Sequence, residues 1–174
     1  ATQRGHISVA EILPDGRMLT PQKALVTDHH LSYPFVFEHE GEIYMIPESR
    51  GARCISMYRC VDVPARWERL PDLMSDVDAV DATLHRHDGR WWMFVNMIEI
   101  RGASSCDELF VFHADSPLSR EWTPHPLNPV VSDVRSARPA GKLFTFEGRL
   151  YRPSQDCSHR YGWGLNLNWV ETLT

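Results

Sequence analysis

The length and charge of the chain limit both its architecture and its partners. The 174 residues are 43% hydrophobic and include six Trp, enough apolar material for the core of a single domain spanning residues 1–174. The net charge is -5, with acidic and basic residues mixed along the chain, so no nucleic-acid partner is expected. No apolar run approaches the roughly 20 residues that span a bilayer, and the first residues lack the order of a signal peptide. We therefore expect a soluble protein without a membrane partner.

The first thirty residues predict two strands joined by a turn. In GHISVAEILPDGRMLTPQKALV, apolar stretches flank Asp15-Gly16, a pair that favours a tight turn. No hairpin precedes these strands, whereas a hairpin precedes the corresponding strands further along the chain. The pattern predicts that the chain begins in the middle of a repeating unit and is truncated at its N-terminus.

Three similar hairpins follow. They are residues 33–49 (YPFVFEHEGEIYMIPES), 81–96 (DATLHRHDGRWWMFVN) and 138–156 (RPAGKLFTFEGRLYRPSQD). Each has an apolar-rich strand, a turn with a Gly at the same position, and then a charged residue followed by a bulky pair. The turn glycines are Gly41, Gly89 and Gly148. A Gly at this position suits a hairpin loop with positive φ, and bulky residues after it suit a strand.

Further strands after each hairpin complete a repeating unit. A third strand is predicted at 54–60, 108–113 and 164–170, and a short fourth strand around PARWERL and PLSREWTPHP. Four antiparallel strands repeating every 40 to 60 residues or so are typical of a β-propeller blade. The sequence therefore predicts an all-β fold that resembles an incomplete propeller, with about three blades and a half blade. A two-sheet sandwich of the same hairpins is the alternative.

Hairpin geometry predicts a set of polar residues at one mouth of this propeller. The start of the first strand and the end of the second lie at the same end of an antiparallel hairpin. The residues at these positions are Tyr33, Asp81 and Arg138, and then Glu48, Asn96, Gln155 and Asp156. Convergent polar groups in a concave site favour ligand binding. Alternatively, Glu48 and Asp81 form salt bridges with Arg50, Arg53 or Arg138 that tie the blades together.

Cysteines, histidines and tryptophans give structural predictions. The four cysteines lack the spacing of a zinc site, so we expect a reduced, cytoplasmic protein with neither a metal nor a cofactor. They are Cys54, Cys60, Cys106 and Cys157. His85 and His87 are two residues apart, but with no third ligand evident they are expected to be surface or packing residues. Five tryptophans are predicted to pack between blades, where large aromatic side chains contribute most of the burial. They are Trp67, Trp91, Trp92, Trp122 and Trp169.

Several of these segments together resemble the five-bladed propeller related to glycoside hydrolase family 43. They are Tyr33-Pro34, Pro47-Glu48-Ser49, Asp81-Ala82-Thr83, Trp91-Trp92, WTPHPLNP, and ARPAGKLF followed by GRLYRPSQDCSHRYG. In particular, the segments resemble the branch found in bacterial proteins with formyltransferase-like or glycosyltransferase partners and in plant glucosamine inositolphosphorylceramide transferases. It covers nearly the whole chain from His30 onward, and it implies a role with carbohydrates and an attached or partner domain.

Only some of the catalytic residues of family 43 have a counterpart in this sequence. The resemblance implies an Asp base on the first blade, an Asp opening a middle blade that tunes the acid, and a Glu general acid opening the next blade. Asp81 matches the middle Asp. The base would precede Ala1, and the position of the acid holds Ala137-Arg138-Pro139. This departure counts against ordinary hydrolysis, and an Arg in the mouth also suits an anionic ligand such as a uronic acid.

Two hypotheses about function result. The first is a glycoside hydrolase-like domain in which Asp81 and Glu48 are the catalytic carboxylates. Such pairs lie about 5 to 5.5 Å apart in retaining enzymes and roughly 6.5 to 9.5 Å apart in inverting ones. The second is a non-catalytic propeller that binds a glycan or nucleotide sugar for an attached transferase. The sugar contacts expected in the mouth are Tyr33, Asn96, Arg138, Gln155, Asp156 and Tyr161. An incomplete propeller is also expected to self-associate through its exposed strand edges.

Overall fold

The computed structural model describes residues 4–100 and 102–174, and within them the fold is built from β-strands. A single turn of 3-10 helix, Arg50–Ala52, is also present in this part of the chain. The strands are β1 (Ile7–Val9), β2 (Gln22–Leu25), β3 (Ser32–His39), β4 (Glu42–Glu48), β5 (Cys54–Ile55), β6 (Tyr58–Asp62), β7 (Arg66–Arg69), β8 (Met74–Ser75), β9 (Ala79–His87), β10 (Arg90–Met97), β11 (Glu108–Ala114), β12 (Thr123–Pro124), β13 (Val131–Ser132), β14 (Phe144–Phe146), β15 (Arg149–Asp156) and β16 (Gly164–Val170).

The strands form consecutive antiparallel sheets that correspond to propeller blades. The half blade is β1 and β2, blade A is β3-β4-β6-β7, blade B is β9-β10-β11-β12, and blade C is β14-β15-β16. Two short strands are additions to this plan, because β13 pairs with β11 and β5 pairs with β8. The sheets formed by residues 4–100 and 102–174 do not close into a ring. The fold is thus an incomplete β-propeller, as the sequence predicts.

Each predicted hairpin turn has two residues in the left-handed region. The φ angles are 52° and 79° at Glu40-Gly41, 48° and 81° at Asp88-Gly89, and 49° and 74° at Glu147-Gly148. Positive φ at both central residues defines the type I′ turn, whose twist matches that of a β-hairpin. Glycine takes the second position because it has no Cβ to oppose that conformation.

The strand starts differ from the sequence-based prediction. β9 begins at Ala79, so Asp81 lies within the strand, at an irregularity in its pairing with β10. Tyr33 occupies the matching irregularity between β3 and β4. In blade C, strand β14 covers only Phe144–Phe146, and the residues before it are joined to β15 by an isolated Pro139–Ser154 bridge. The third strand predicted in blade A is interrupted, because its first part turns away to pair as β5 with β8.

Adjacent blades pack face to face through apolar side chains. On β10, Met93 and Val95 belong to the cluster shared with blade A, whereas Trp92 and Phe94 belong to the cluster shared with blade C. Successive residues of a strand point to opposite faces, so this one strand contributes to two interfaces. The arrangement brings the end of β4, the start of β9 and the end of β15 together at one end of the propeller.

The outer face of blade C is apolar but exposed. Leu165, Leu167 and Trp169 alternate along β16 and are 64%, 56% and 52% exposed. The prediction that Trp169 packs between blades is wrong, because no sheet covers this face in the described part of the chain. Among the same residues, no helix is long and apolar enough to cross a membrane.

Candidate functional site

Asp81 lies at the centre of a buried polar cluster. Its side chain is 2% exposed, and its backbone φ is 58°. One carboxylate oxygen, Oδ2, accepts hydrogen bonds from Arg138 Nε at 2.6 Å and from Gln155 Nε2 at 3.0 Å. A non-glycine residue in the left-handed region costs about 1 to 3 kcal/mol, and outside tight turns such residues cluster at functional sites. The irregularity in β9 thus directs a charged side chain inward between two apolar neighbours, Val80 and Ala82.

Arg138 links blade C to blade B at this cluster. It is 9% exposed, and its Nη1 donates to Ser105 Oγ at 3.2 Å and lies 3.6 Å from Cys106 Sγ. The guanidinium also lies over the Tyr161 ring, 4.9 Å from its centroid. Sequence reasoning did not identify Ser105 and Cys106. Strand counting places them between the second and third strands of blade B, at the same end as the mouth, and that signal could have found them.

The backbone around Arg138 is fixed by β15. Gln155 N donates to Arg138 O at 2.8 Å, and Gln155 Nε2 donates to Pro139 O at 3.0 Å. Gln155 therefore contacts Asp81 and holds the segment that carries Arg138. The orientation of the Asp81–Arg138 ion pair therefore depends on Gln155 and on strand β15, which carries it.

Tyr33 joins blade A to the same cluster. Its hydroxyl group forms a 2.8 Å hydrogen bond with Thr83 Oγ1, two residues after Asp81. Burial raises the pKa of Tyr33 to about 12, so the phenol is neutral at physiological pH. Thr83 is fully buried and was not predicted as a site residue; its position two residues after Asp81 on the predicted strand is the signal that could have found it.

Glu48 lies beside this cluster but is held separately. Its carboxylate accepts hydrogen bonds from Ser32 Oγ at 3.0 Å and from the backbone N of Arg50 at 2.8 Å. The side chain of Arg50 pairs instead with Asp78, with 2.5 Å between Nε and Oδ1. The predicted alternative of interblade salt bridges is therefore correct for Asp81 with Arg138, but wrong for Glu48.

The electrostatics of the cluster are those of a buried ion pair. Burial raises the pKa of Asp81, the Glu48 charge raises it further, and Arg138 and Gln155 oppose this shift. Burial alone would lower the pKa of Arg138, but Asp81 and Cys106 raise it above its usual value. Arg138 keeps its proton near neutral pH, and the Asp81 oxygen that it faces accepts hydrogen bonds from two N–H donors, as a carboxylate does. The pair consequently presents little net charge to a ligand.

The other predicted contact residues have different positions. Asn96 is 1% exposed, and neither polar atom of its amide has a hydrogen-bond partner in the described part of the chain. Asp156 accepts a hydrogen bond from Ser158 N at 2.9 Å, outside the Asp81 cluster. Tyr161 is 66% exposed and covers Arg138 from the solvent side. The structure thus brings Tyr33, Asp81, Arg138, Gln155 and Tyr161 together, with Glu48 adjacent.

The fold is that of the glycoside hydrolase family 43 propellers. The RS223 β-xylosidase superposes with a TM-score of 0.64 at 17% identity, over 95% of this chain and 61% of that one. A GH43_1 enzyme from Xanthomonas citri gives a TM-score of 0.60 at 15% identity, over 84% of this chain and 53% of that one. At these identities the likeness concerns the fold alone.

The sequence comparisons define the family more narrowly. The model of the family described as glucosamine inositolphosphorylceramide transferase 1, N-terminal, matches residues 1–174, and the chain belongs to this family. Glucosamine inositolphosphorylceramide transferase 1 of Oryza sativa subsp. japonica is 40% identical over 177 residues, covering 100% of this chain and 24% of the relative. The protein of the same name from Arabidopsis thaliana is 36% identical over 176 residues, covering 99% of this chain and 23% of the relative. The chain thus spans about a quarter of the length of these relatives.

Proposed function

We propose that the mouth binds a sugar without cleaving it. The observation that supports this proposal is the engagement of Asp81, whose Oδ2 accepts hydrogen bonds from both Arg138 and Gln155. A general acid must carry a proton that it can give to the leaving group, and a carboxylate paired with arginine carries none. Arg138 also occupies the position at which the family 43 resemblance implies the general acid.

The composition of the mouth favours a neutral sugar over an acidic one. The Arg in the mouth first suggests an anionic ligand, but Asp81 already compensates its charge. Ser105, Gln155 and the exposed Tyr161 ring remain suitable for hydroxyl groups and for the apolar face of a sugar ring. A glycan is thus favoured over a nucleotide sugar.

We further propose that the propeller serves a transferase domain in a longer polypeptide. The relatives are named as transferases, and this chain corresponds to about a quarter of their length. In this view the propeller holds the acceptor glycan or the product while another domain performs the transfer. The cytoplasmic location expected from the sequence stays part of this proposal.

Calorimetric titration of the longest native form with neutral sugars, amino sugars and uronic acids tests the proposal. Gln155→Ala should weaken binding of a neutral sugar about tenfold, because it removes one charge-assisted contact and loosens the Arg138 segment. Gln22→Ala is the matched control, since Gln22 is exposed on β2. Equal affinity in wild type and Gln155→Ala would contradict binding at the mouth.

Hydrolysis is the second candidate, and one observation favours it. Burial and, to a smaller extent, the charge of Glu48 raise the pKa of Asp81, as expected of paired carboxylates in a glycosidase. Product release from glycans or aryl glycosides, abolished in both Asp81→Asn and Glu48→Gln, would establish a hydrolase and overturn the binding proposal. The absence of product with sugar binding retained would support it.

A further inference from the structure

A second buried cation, Arg152, lies outside the Asp81 cluster. Its side chain is 4% exposed, and it forms no ion pair with a carboxylate of residues 4–100 or 102–174. Its Nη1 donates to Ala137 O at 3.2 Å and its Nη2 donates to Ser136 O. A guanidinium carries five N–H donors, so these two bonds leave donors available.

The electrostatic environment of Arg152 contrasts with that of Arg138. Burial lowers the pKa of Arg152 to about 10, opposed by the nearby Tyr33 phenol and by no acidic side chain. Buried charges in proteins are normally paired with an opposite charge because desolvating one costs several kcal/mol. Two backbone carbonyl groups supply partial compensation, and an anion would supply the rest.

The same side chain lines a cavity between blades B and C. The cavity has a volume of about 590 Å³, within the range of roughly 300 to 1,000 Å³ typical of ligand sites. Its apolar wall includes Phe94, Leu109 and Val111, and residues 171–174 line another side. Glu171 belongs to that segment and is exposed. The cavity therefore combines the Arg152 cation with a lining of apolar and polar side chains, the polar ones including His125 and Asn168.

We propose that this cavity binds an organic oxyanion, a carboxylate or phosphate monoester carried on an apolar body, with the oxyanion on Arg152. The guanidinium fork matches the geometry of both groups. Phe94, Leu109 and Val111 would cover the apolar part of the molecule. Arg152 lies near Tyr33 of the Asp81 cluster, but the cavity shares no lining residue with that cluster, and the proposal does not depend on the function proposed for the mouth.

Titration of the longest native form with hexyl phosphate, hexanoate and hexanol tests this site. We expect hexyl phosphate or hexanoate to bind at least tenfold more tightly than hexanol, and the preferred anion identifies the headgroup. Arg152→Met should abolish that preference, whereas Arg149→Met should retain it. Arg149 is the matched control because it lies on the same strand but is exposed and does not line the cavity; its guanidinium lies over Trp169, 5.0 Å from the ring centroid.

A second variant keeps the test decisive if Arg152→Met does not fold. Val131→Phe fills the rim of the cavity and leaves Arg152 in place, and it should weaken hexyl phosphate binding at least tenfold. Equal binding of hexyl phosphate and hexanol by the wild type would overturn the proposal. Unchanged anion binding in folded Arg152→Met or in Val131→Phe would also overturn it.

Discussion

The mouth buries charged side chains, whereas the outer face of blade C exposes apolar ones. At the mouth, the charged pair Asp81 and Arg138 is 2% and 9% exposed, whereas on the outer face Leu167 and Trp169 are 56% and 52% exposed. Burying charge and exposing apolar surface are both unfavourable unless another group compensates. At the mouth each charged side chain is compensated by its partner in the ion pair. On the outer face no group in the described part of the chain covers the apolar side chains. We interpret the first region as a ligand site and the second as a surface suited to contact with further protein.

Breaking the ion pair should give the largest effect. Asp81→Asn leaves Arg138 buried without a counterion, and we expect a loss of about 3 to 5 kcal/mol in the free energy of unfolding. Asp76→Asn is the matched control, because Asp76 also has positive φ, 56°, and pairs with Arg53 at 2.8 Å, but on the surface. Its loss should be about 1 kcal/mol or less. Urea unfolding of both variants measures the difference, and equal losses would contradict the buried-pair interpretation.

Two leucines on equivalent third strands compare the covered and uncovered sheet faces. Leu109 on β11 is 1% exposed, so Leu109→Ala should cost about 2 to 5 kcal/mol. Leu167→Ala on β16 should change stability by about 0.5 kcal/mol or less in the 174-residue chain. Thermal unfolding of both variants tests this. A loss above about 2 kcal/mol for Leu167→Ala would show that protein covers this face.

Self-association through exposed strand edges stays a prediction for the same chain. Light scattering over a range of concentrations measures it directly. A monomer at every concentration would contradict the prediction.

Titration of Tyr33, a residue of the mouth, should make the free energy of unfolding depend on pH. The pKa of Tyr33 is raised to about 12 from 10.0, so its contribution to stability is complete below pH 10. As the pH rises further, the unfolded chain loses its proton first, and stability falls until the folded pKa is passed. The loss approaches about 2 to 3 kcal/mol. Unfolding temperatures between pH 8 and 11 should fall less steeply in Tyr33→Phe, and identical slopes would contradict this assignment.

The sequence predicted the blades well because its signals were local. Glycine at the second turn position and alternation along the strands both act within a few residues, and Gly41, Gly89 and Gly148 all occupy the predicted turns. The expectation of a five-bladed propeller came from the resemblance to family 43 propellers and the plant transferases. The structural and sequence comparisons confirm both the fold and the family.

The misplaced features depend on contacts between distant residues. The position of Asp81 inside β9 follows from an irregular pairing with β10, which strand counting cannot detect. Its partners Arg138 and Gln155 are 57 and 74 residues away, so the sequence left the salt bridge and the ligand site as alternatives. The exposure of Trp169 depends on which sheets surround blade C, and no pattern within β16 reports that.

A smaller comparison concerns two stacked cations, one in each region. Arg138 is buried under Tyr161, whereas Arg149 is exposed and lies over Trp169. A cation attracts an aromatic ring more strongly when water is excluded from it. Tyr161→Leu should therefore cost about 1 kcal/mol by urea unfolding and Trp169→Leu about 0.5 kcal/mol or less, although the tryptophan is the larger residue. A larger loss for Trp169→Leu would mean that the outer face contributes more to stability than its exposure suggests, and that the contrast between the two regions is weaker than proposed.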